Sequence, residues 1–176
     1  MKLDYNIVLI GFMGTGKTTV SEYLNQRYDM DVVDMDTEIS KREGMGISEI
    51  FEVFGEVYFR DLETALLKEL QSRKNTVISC GGGAPMREEN VKEMKKNGRV
   101  VLLTARPETI YDRVKDHDER PVLKAKKTVA QILELMTERQ EKYRKAADLT
   151  VSTDGKSVDE ICEDIIARLT EGERDV

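Results

Sequence analysis

The chain has 176 residues, of which 39% are hydrophobic and 35% charged, which suits one compact α/β domain over 1–176 with a real core and solvated helix faces. A net charge of −6 argues against a nucleic-acid partner, since a phosphate backbone selects basic surfaces. No apolar run reaches the roughly eighteen residues a membrane span needs.

The N-terminal residues Met1-Lys2-Leu3-Asp4-Tyr5 lack the apolar centre of a signal peptide, so a cytoplasmic location is expected. Cys80 and Cys162 stand far apart and outside any metal-ligand spacing, consistent with two reduced thiols. Asn6–Ile10 is a short apolar run that predicts a buried strand. It leads into Gly11-Phe12-Met13-Gly14-Thr15-Gly16-Lys17-Thr18, which fits the phosphate-binding P-loop pattern G-x-x-x-x-G-K-[ST]. A helix is expected over Gly16–Tyr28, and this strand-loop-helix setting separates the motif from a glycine-rich turn that binds nothing. The glycines let the backbone curl round a phosphate with its N–H groups inward, and the helix N-terminus adds a positive dipole end. Lys17 would reach the β- and γ-phosphates, and the Thr18 hydroxyl would ligate Mg²⁺.

A second strand is predicted over Val32–Met35, at whose end lie Asp34 and Asp36. Alternate residues of a strand share a face, so both carboxylates are expected to point the same way, at the carboxyl end of the sheet. One could hold Mg²⁺ through its water shell and the other accept hydrogen bonds from a substrate hydroxyl. The competing reading makes Asp36 the cap of a helix beginning at Thr37. Helical spacing of Phe59, Leu62, Leu66, Leu67 and Leu70 predicts a helix over Phe59–Arg73.

The third strand, Thr76–Cys80, runs directly into Gly81-Gly82-Gly83. Three consecutive glycines offer no packing, but they permit positive φ and close backbone approach to a ligand. Ser79 is placed to meet the Mg²⁺ water shell, and Cys80 reads as a buried filler. A helix over Glu88–Asn97 is expected to end on Gly98 as its C-cap. Strands follow at Val100–Thr104 and Leu149–Ser152, with a long helix over Thr128–Ala147 between them. The last helix starts at Ser157, with Glu160 completing a capping box. Charged Lys115–Lys127, interrupted by Pro121, has the length and composition of a lid. The alternation of strands and helices predicts a three-layer α/β/α fold around a five-stranded parallel sheet. No large exposed apolar stripe is evident, which points to a monomer.

Arg60, Arg139 and Arg120 supply guanidinium forks that match carboxylate and phosphate oxygens. His117, the sole histidine, receives no role. The absence of an Asn-Lys-x-Asp signature disfavours a GTPase switch, and Val100–Leu103 does not end in the aspartate of a motor ATPase.

Taken together, these residues resemble the shikimate kinase family. The likeness rests on Gly11–Thr18, Asp34 with Asp36, Phe59-Arg60, Gly81–Gly83, Arg120-Pro121-Val122-Leu123, and Glu138-Arg139 with Tyr143, all in family order. The resemblance implies a P-loop kinase fold of the nucleoside-monophosphate-kinase type. It implies phosphoryl transfer from ATP to the 3-hydroxyl of shikimate, in the chorismate route to aromatic amino acids, with ATP and shikimate as the partners. Gly14, Thr15, Gly16, Lys17, Thr18 and Thr19 would wrap the ATP phosphates, with Mg²⁺ on Thr18 and Asp34 in its outer shell. Asp36 would grip the shikimate hydroxyls as the candidate base. Arg60 and Arg139 would clamp the carboxylate, and the backbone at Gly81, Gly82 and Gly83 would meet a hydroxyl. Lys17, Asp36 and Arg120 form the implied catalytic set, and Arg113 would stack beneath adenine. Where the family often has a proline over adenine's other face, this chain has Asp154-Gly155-Lys156-Ser157, with Lys156 as the candidate contact. Within the fold type, kinases of gluconate or of nucleoside monophosphates are the nearest rivals. A catalytically idle nucleotide-binding regulator is the rival of another class.

Overall fold

A computed structural model of the chain describes residues 1–115 and 128–171. Five strands, β1 (Asn6–Ile10), β2 (Asp31–Asp34), β3 (Thr76–Ser79), β4 (Gly98–Thr104) and β5 (Leu149–Ser152), form one sheet. Their order is β2-β3-β1-β4-β5, and every neighbouring pair is parallel. Parallel neighbours need crossovers, and the helices supply them. They are α1 (Lys17–Tyr28), α2 (Met35–Glu43), α3 (Ile47–Phe54), α4 (Glu56–Leu70), α5 (Glu88–Lys96), α6 (Pro107–Val114), α7 (Val129–Ala146) and α8 (Val158–Glu171).

Strand alternation sorts the core into two layers. Ile7, Leu9, Val77, Val101, Leu103 and Val151 pack beneath α1 and α8. Val8, Ile10, Ile78, Val100 and Leu102 face the helices of the opposite side, where Leu66, Leu67, Leu70, Ile132 and Tyr143 meet them. The three-layer α/β/α architecture expected from the strand-helix alternation is therefore the one observed. No helix among the described residues is long and apolar enough to cross a membrane.

Several boundaries differ from the expectations, each for a local reason. β2 stops at Asp34 because its carboxylate turns to cap α2, accepting a hydrogen bond from the Thr37 N–H at 2.9 Å. Asp36 therefore sits in the first turn of a helix and not at the end of a strand. The helix expected from Phe59 begins three residues earlier, after Gly55, and ends at Leu70. β3 ends at Ser79, although the Cys80 N–H still donates to the Leu9 carbonyl at 3.0 Å. The long helix is Val129–Ala146, with Thr128 and Gln131 closing a reciprocal capping box. The box expected at Ser157 and Glu160 is formed as well. Helices α3 and α6 were not singled out by the sequence pattern, and α2 entered only as the competing reading of a helix from Thr37. Val53, Phe54 and Val57 are exposed where α3 meets α4, against the expectation of a surface without an apolar stripe.

Gly98 is not a helix cap. Asn97 ends α5, and Gly98 is the first residue of β4, fully buried. A Cβ there would strike the Met94 carbonyl oxygen and lie 2.7 Å from Val8 Cγ2. The glycine thus lets α5 descend onto the sheet without a gap. Gly98→Ala is expected to destabilise the chain by about 1–3 kcal/mol through overpacking against backbone, read as a shift of the urea midpoint at unchanged slope.

Candidate active site

The P-loop joins β1 to α1 at the carboxyl end of the sheet. Gly16 takes a left-handed conformation (φ 100°) as the N-cap of α1, a geometry open to glycine and costly for other residues. The Thr15 hydroxyl donates to the Phe12 carbonyl at 2.8 Å, so its side chain shapes the loop from within. Lys17 Nζ donates to the Gly11 carbonyl at 2.7 Å and to the Phe12 carbonyl at 3.1 Å. Arg113, on α6, donates to the Gly14 carbonyl at 2.7 Å and pins the loop's crest.

Around this loop lies a cavity of about 360 Å³ lined by Gly14 through Val20, Asp34, Asp36, Ser79 through Gly82, Arg113, Thr153, Lys156, Val158 and Ile161. Arg113 and Lys156, both expected at the nucleotide, line it together. Asp154 holds that region, accepting from the Arg106 N–H and the Thr109 hydroxyl, each at 2.8 Å. Cys80 is buried in the wall, and burial pushes its thiol far above the ordinary range, which fits a filler and not a nucleophile.

A second cavity, of about 580 Å³, opens beside the first. Thr18, Asp34, Asp36, Ser79, Gly81 and Gly82 line both. Arg60, Glu63 and Phe59 from α4, Phe51 from α3, Gly83 and Arg139 from α7 line the second only, and α1 adds Ser21 and Glu22. The Arg60 guanidinium lies over the rings of Phe59 and Phe51, 5.3 and 5.9 Å from their centroids. Arg139 lies 5.8 Å from the Phe12 ring centroid. Its Nη1 is buried and has no hydrogen-bond partner among the described residues.

The glycine triplet works through space and not through unusual backbone angles: none of the three has positive φ. Each omits a Cβ that would meet a charged side chain. At Gly81 it would lie 3.0 Å from Asp36 Oδ1 and 3.1 Å from Glu63 Oε2. At Gly82 it would lie 3.1 Å from Arg139 Nη1, and at Gly83 it would collide with the Arg60 guanidinium. The Tyr143 hydroxyl donates to the Gly82 carbonyl at 2.6 Å, and Asn90 Nδ2 donates to the Ala84 carbonyl at 2.9 Å, so the turn is fixed from both sides.

Glu63 was not anticipated from the sequence. It is fully buried, and its Oε1 accepts a hydrogen bond from Arg60 Nη1 at 2.6 Å. Burial, reinforced by Asp36 and opposed by Arg60, raises its carboxyl to about 7. Its position three residues after Arg60, one helical turn on, was the available signal. Arg60 in turn is held above its usual value by Glu63 and Glu56, although its own burial works the other way.

The structure thus brings Lys17, Thr18, Asp34, Asp36, Gly81–Gly83, Arg60 and Arg139 to one pair of adjoining cavities, with Thr19, Arg113 and Lys156 on the outer wall of the first. Arg120, His117 and the expected lid from 116 to 127 lie outside the described residues. Asp34 and Asp36 do share one site, but through a cap and a helical turn instead of strand alternation.

Comparison with known proteins agrees with this geometry. The shikimate kinase family model matches residues 13–170. The chain belongs to the shikimate kinase family. A shikimate kinase of Dehalococcoides mccartyi is 42% identical over 173 residues, covering 98% of both chains. The shikimate kinase of Acinetobacter baumannii, solved in complex with shikimate, superimposes with a TM-score of 0.90 at 34% identity, over 96% of this chain and 94% of that one. The Aquifex aeolicus shikimate kinase superimposes at 0.82 with 40% identity, over 96% and 98% of the two chains.

As a test of the wall between the cavities, Tyr143→Phe should cost about 1 kcal/mol in chemical denaturation, because the Gly82 carbonyl loses a buried donor.

Proposed function

We propose that this shikimate kinase family chain transfers the γ-phosphate of ATP to the 3-hydroxyl of shikimate, with ATP in the P-loop cavity and shikimate in the cavity beside it. The observation that carries the assignment is the buried Nη1 of Arg139. It has no partner among the described residues and lines a cavity that meets the P-loop at Asp34 and Asp36. A buried guanidinium nitrogen without a partner is costly, and a ligand carboxylate would satisfy it. Arg60, held at the same cavity, supplies a second fork for that carboxylate, and the Asp36 carboxylate suits the hydroxyl end of a small polyol acid.

Phosphoryl transfer asks mainly for positioning and charge neutralisation. Lys17 would contact the terminal phosphates from the loop. Asp36 would orient the attacking hydroxyl and accept its proton as the new P–O bond forms and the bond to the ADP oxygen breaks. Arg120 would help neutralise the charge of the transferring group. The Thr18 hydroxyl and Asp34 carboxylate are oxygen donors on the rim shared by both cavities. No group of three or more His, Cys, Asp or Glu that could hold a metal exists among the described residues. This donor set fits Mg²⁺, which keeps several waters and takes few protein ligands. When bound there the ion would neutralise charge on the phosphates. Both cavities are lined by one chain, so a monomer suffices, and 1–176 is taken as one domain.

ADP release should require shikimate and should not be supported by gluconate, AMP or CMP. ADP formation with one of those acceptors and none with shikimate would overturn the assignment. Asp36→Asn is expected to lower kcat by about 10²–10⁴-fold while nucleotide binding, read by fluorescence of an ATP analogue, stays nearly unchanged. Arg139→Ala should raise the KM for shikimate by about 10–100-fold, the worth of one charge-assisted hydrogen bond, with little change in the KM for ATP. Equal rises for both substrates would remove Arg139 from the carboxylate clamp.

A further inference from the structure

Glu63 brings a fully buried carboxylate to the acceptor cavity, and only half of it is accounted for. Oε1 is held by Arg60, whereas Oε2 is buried without a hydrogen-bond partner among the described residues. Oε2 and Asp36 Oδ1 both lie about 3 Å from the point that a Gly81 Cβ would occupy. The groups facing Glu63 come from every element packed around it. Arg60 lies on its own helix, with the exposed Glu56 behind it. Asp36 approaches from α2, and Arg87, engaged with Asp61 at 2.7 Å, from the turn before α5. Arg139 and the Tyr143 hydroxyl come from α7, and the Cys80 thiol from the end of β3. Among the described residues, two guanidinium groups, Arg60 and Arg139, line this cavity together with the carboxylates of Glu22, Asp34, Asp36 and Glu63.

An anionic acceptor adds to that negative charge. Its carboxylate competes with Glu63 for Arg60, and a buried carboxylate that loses its cationic partner is expensive. Protonation of Glu63 removes that cost. It also frees the Arg60 fork for the ligand and turns Oε2 from an unsatisfied acceptor into a donor for a ligand hydroxyl. We propose that the acceptor site takes up a proton together with its anionic substrate and that Glu63 is the residue that binds it. The proposal rests on the reading of this cavity as the shikimate site and adds to it a linked proton and the group responsible.

The sign follows from linkage. Burial, together with Asp36, already raises free Glu63 to about 7, and the ligand's charge raises it further. Below that pH the free site is already protonated and binding takes up nothing. Above it, uptake approaches one proton per ligand, and shikimate affinity falls by up to about tenfold per pH unit until the pKa of the complex is passed.

The test is titration calorimetry of shikimate into the full chain, without nucleotide, between about pH 6 and about pH 8.5, a range that brackets the proposed transition, in paired non-phosphate buffers of low and high ionisation heat, PIPES with imidazole at the acid end and HEPES with Tris at the alkaline end. The dependence of the heat on buffer ionisation counts the protons. The count should rise from near zero at the acid end towards one. It should survive His117→Asn and vanish in Glu63→Gln, whose affinity should become flat with pH. Binding with no proton uptake, or uptake that persists in Glu63→Gln, overturns the proposal and leaves the shikimate assignment standing. Absence of any shikimate binding overturns the assignment itself, and the proposal with it. Should Glu63→Gln fail to fold, the native chain labelled at its glutamate carboxyl carbons decides the matter. One resonance should titrate near neutrality in the free protein and stay at its protonated position in the complex. No such resonance would sink the idea.

Discussion

The site depends on a strand that ends without side chains. Where β3 gives way to Gly81–Gly83, the missing Cβ atoms leave room for Asp36 and Glu63 at the first position, Arg139 at the second and Arg60 at the third. These groups arrive from three helices, α2, α4 and α7, that share no local sequence. Each is charged and partly or wholly buried, and none could approach the sheet this closely over an ordinary residue. Tyr143 and Asn90 hold the bare backbone in place, so the room is a fixed feature of the fold and not slack. Charge placed there loses much of its water, which strengthens every attraction among the four groups and makes each unmatched atom costly.

That arrangement explains which parts of the site could be read along the chain. The P-loop was legible because its chemistry is contiguous: loop, lysine, threonine and helix start all lie within one short run, and the geometry follows from their order. The aspartate pair was expected to face one site together, and both do line the same two cavities, but for a different local reason. Strand alternation and a capped helical turn both bring residues two apart to the same end of a sheet, and apolar Val32 and Val33 gave no sign that Asp34 would turn to bond the Thr37 N–H. The glycine triplet was read as allowing positive φ and close approach of the backbone to a ligand; positive φ is not used, and what comes close are four side chains of the chain itself. The pressure on these positions comes from neighbours distant in sequence, which no local pattern records.

Glu63 shows the limit most clearly. On a helix rich in charge, a glutamate one turn from an arginine looks like any solvated ion pair, worth little and telling little. Its importance comes from being buried, and burial is decided by how α4 lies against Gly81 and Gly83. Family likeness supplied roles for residues within matching motifs and was silent on this one. Gly98 was misread in a related way: a glycine after a charged helix suggests a cap, whereas here it lets a helix carbonyl and a strand side chain come together.

Helix α1 lends residues to both cavities. Lys17, Thr18 and Thr19 face the P-loop cavity from its first turn, and Thr18, Ser21 and Glu22 face the adjoining one. Residues three and four apart stand one above another on a helix. A single rigid rod, anchored by Gly16 at its start and by the sheet along its buried face, therefore serves as a common ruler. On the proposed assignment of the two cavities, the spacing between phosphate donor and alcohol acceptor is set by backbone pitch, a quantity that side-chain substitution hardly alters, so the alignment needed for transfer would be inherited from the helix itself.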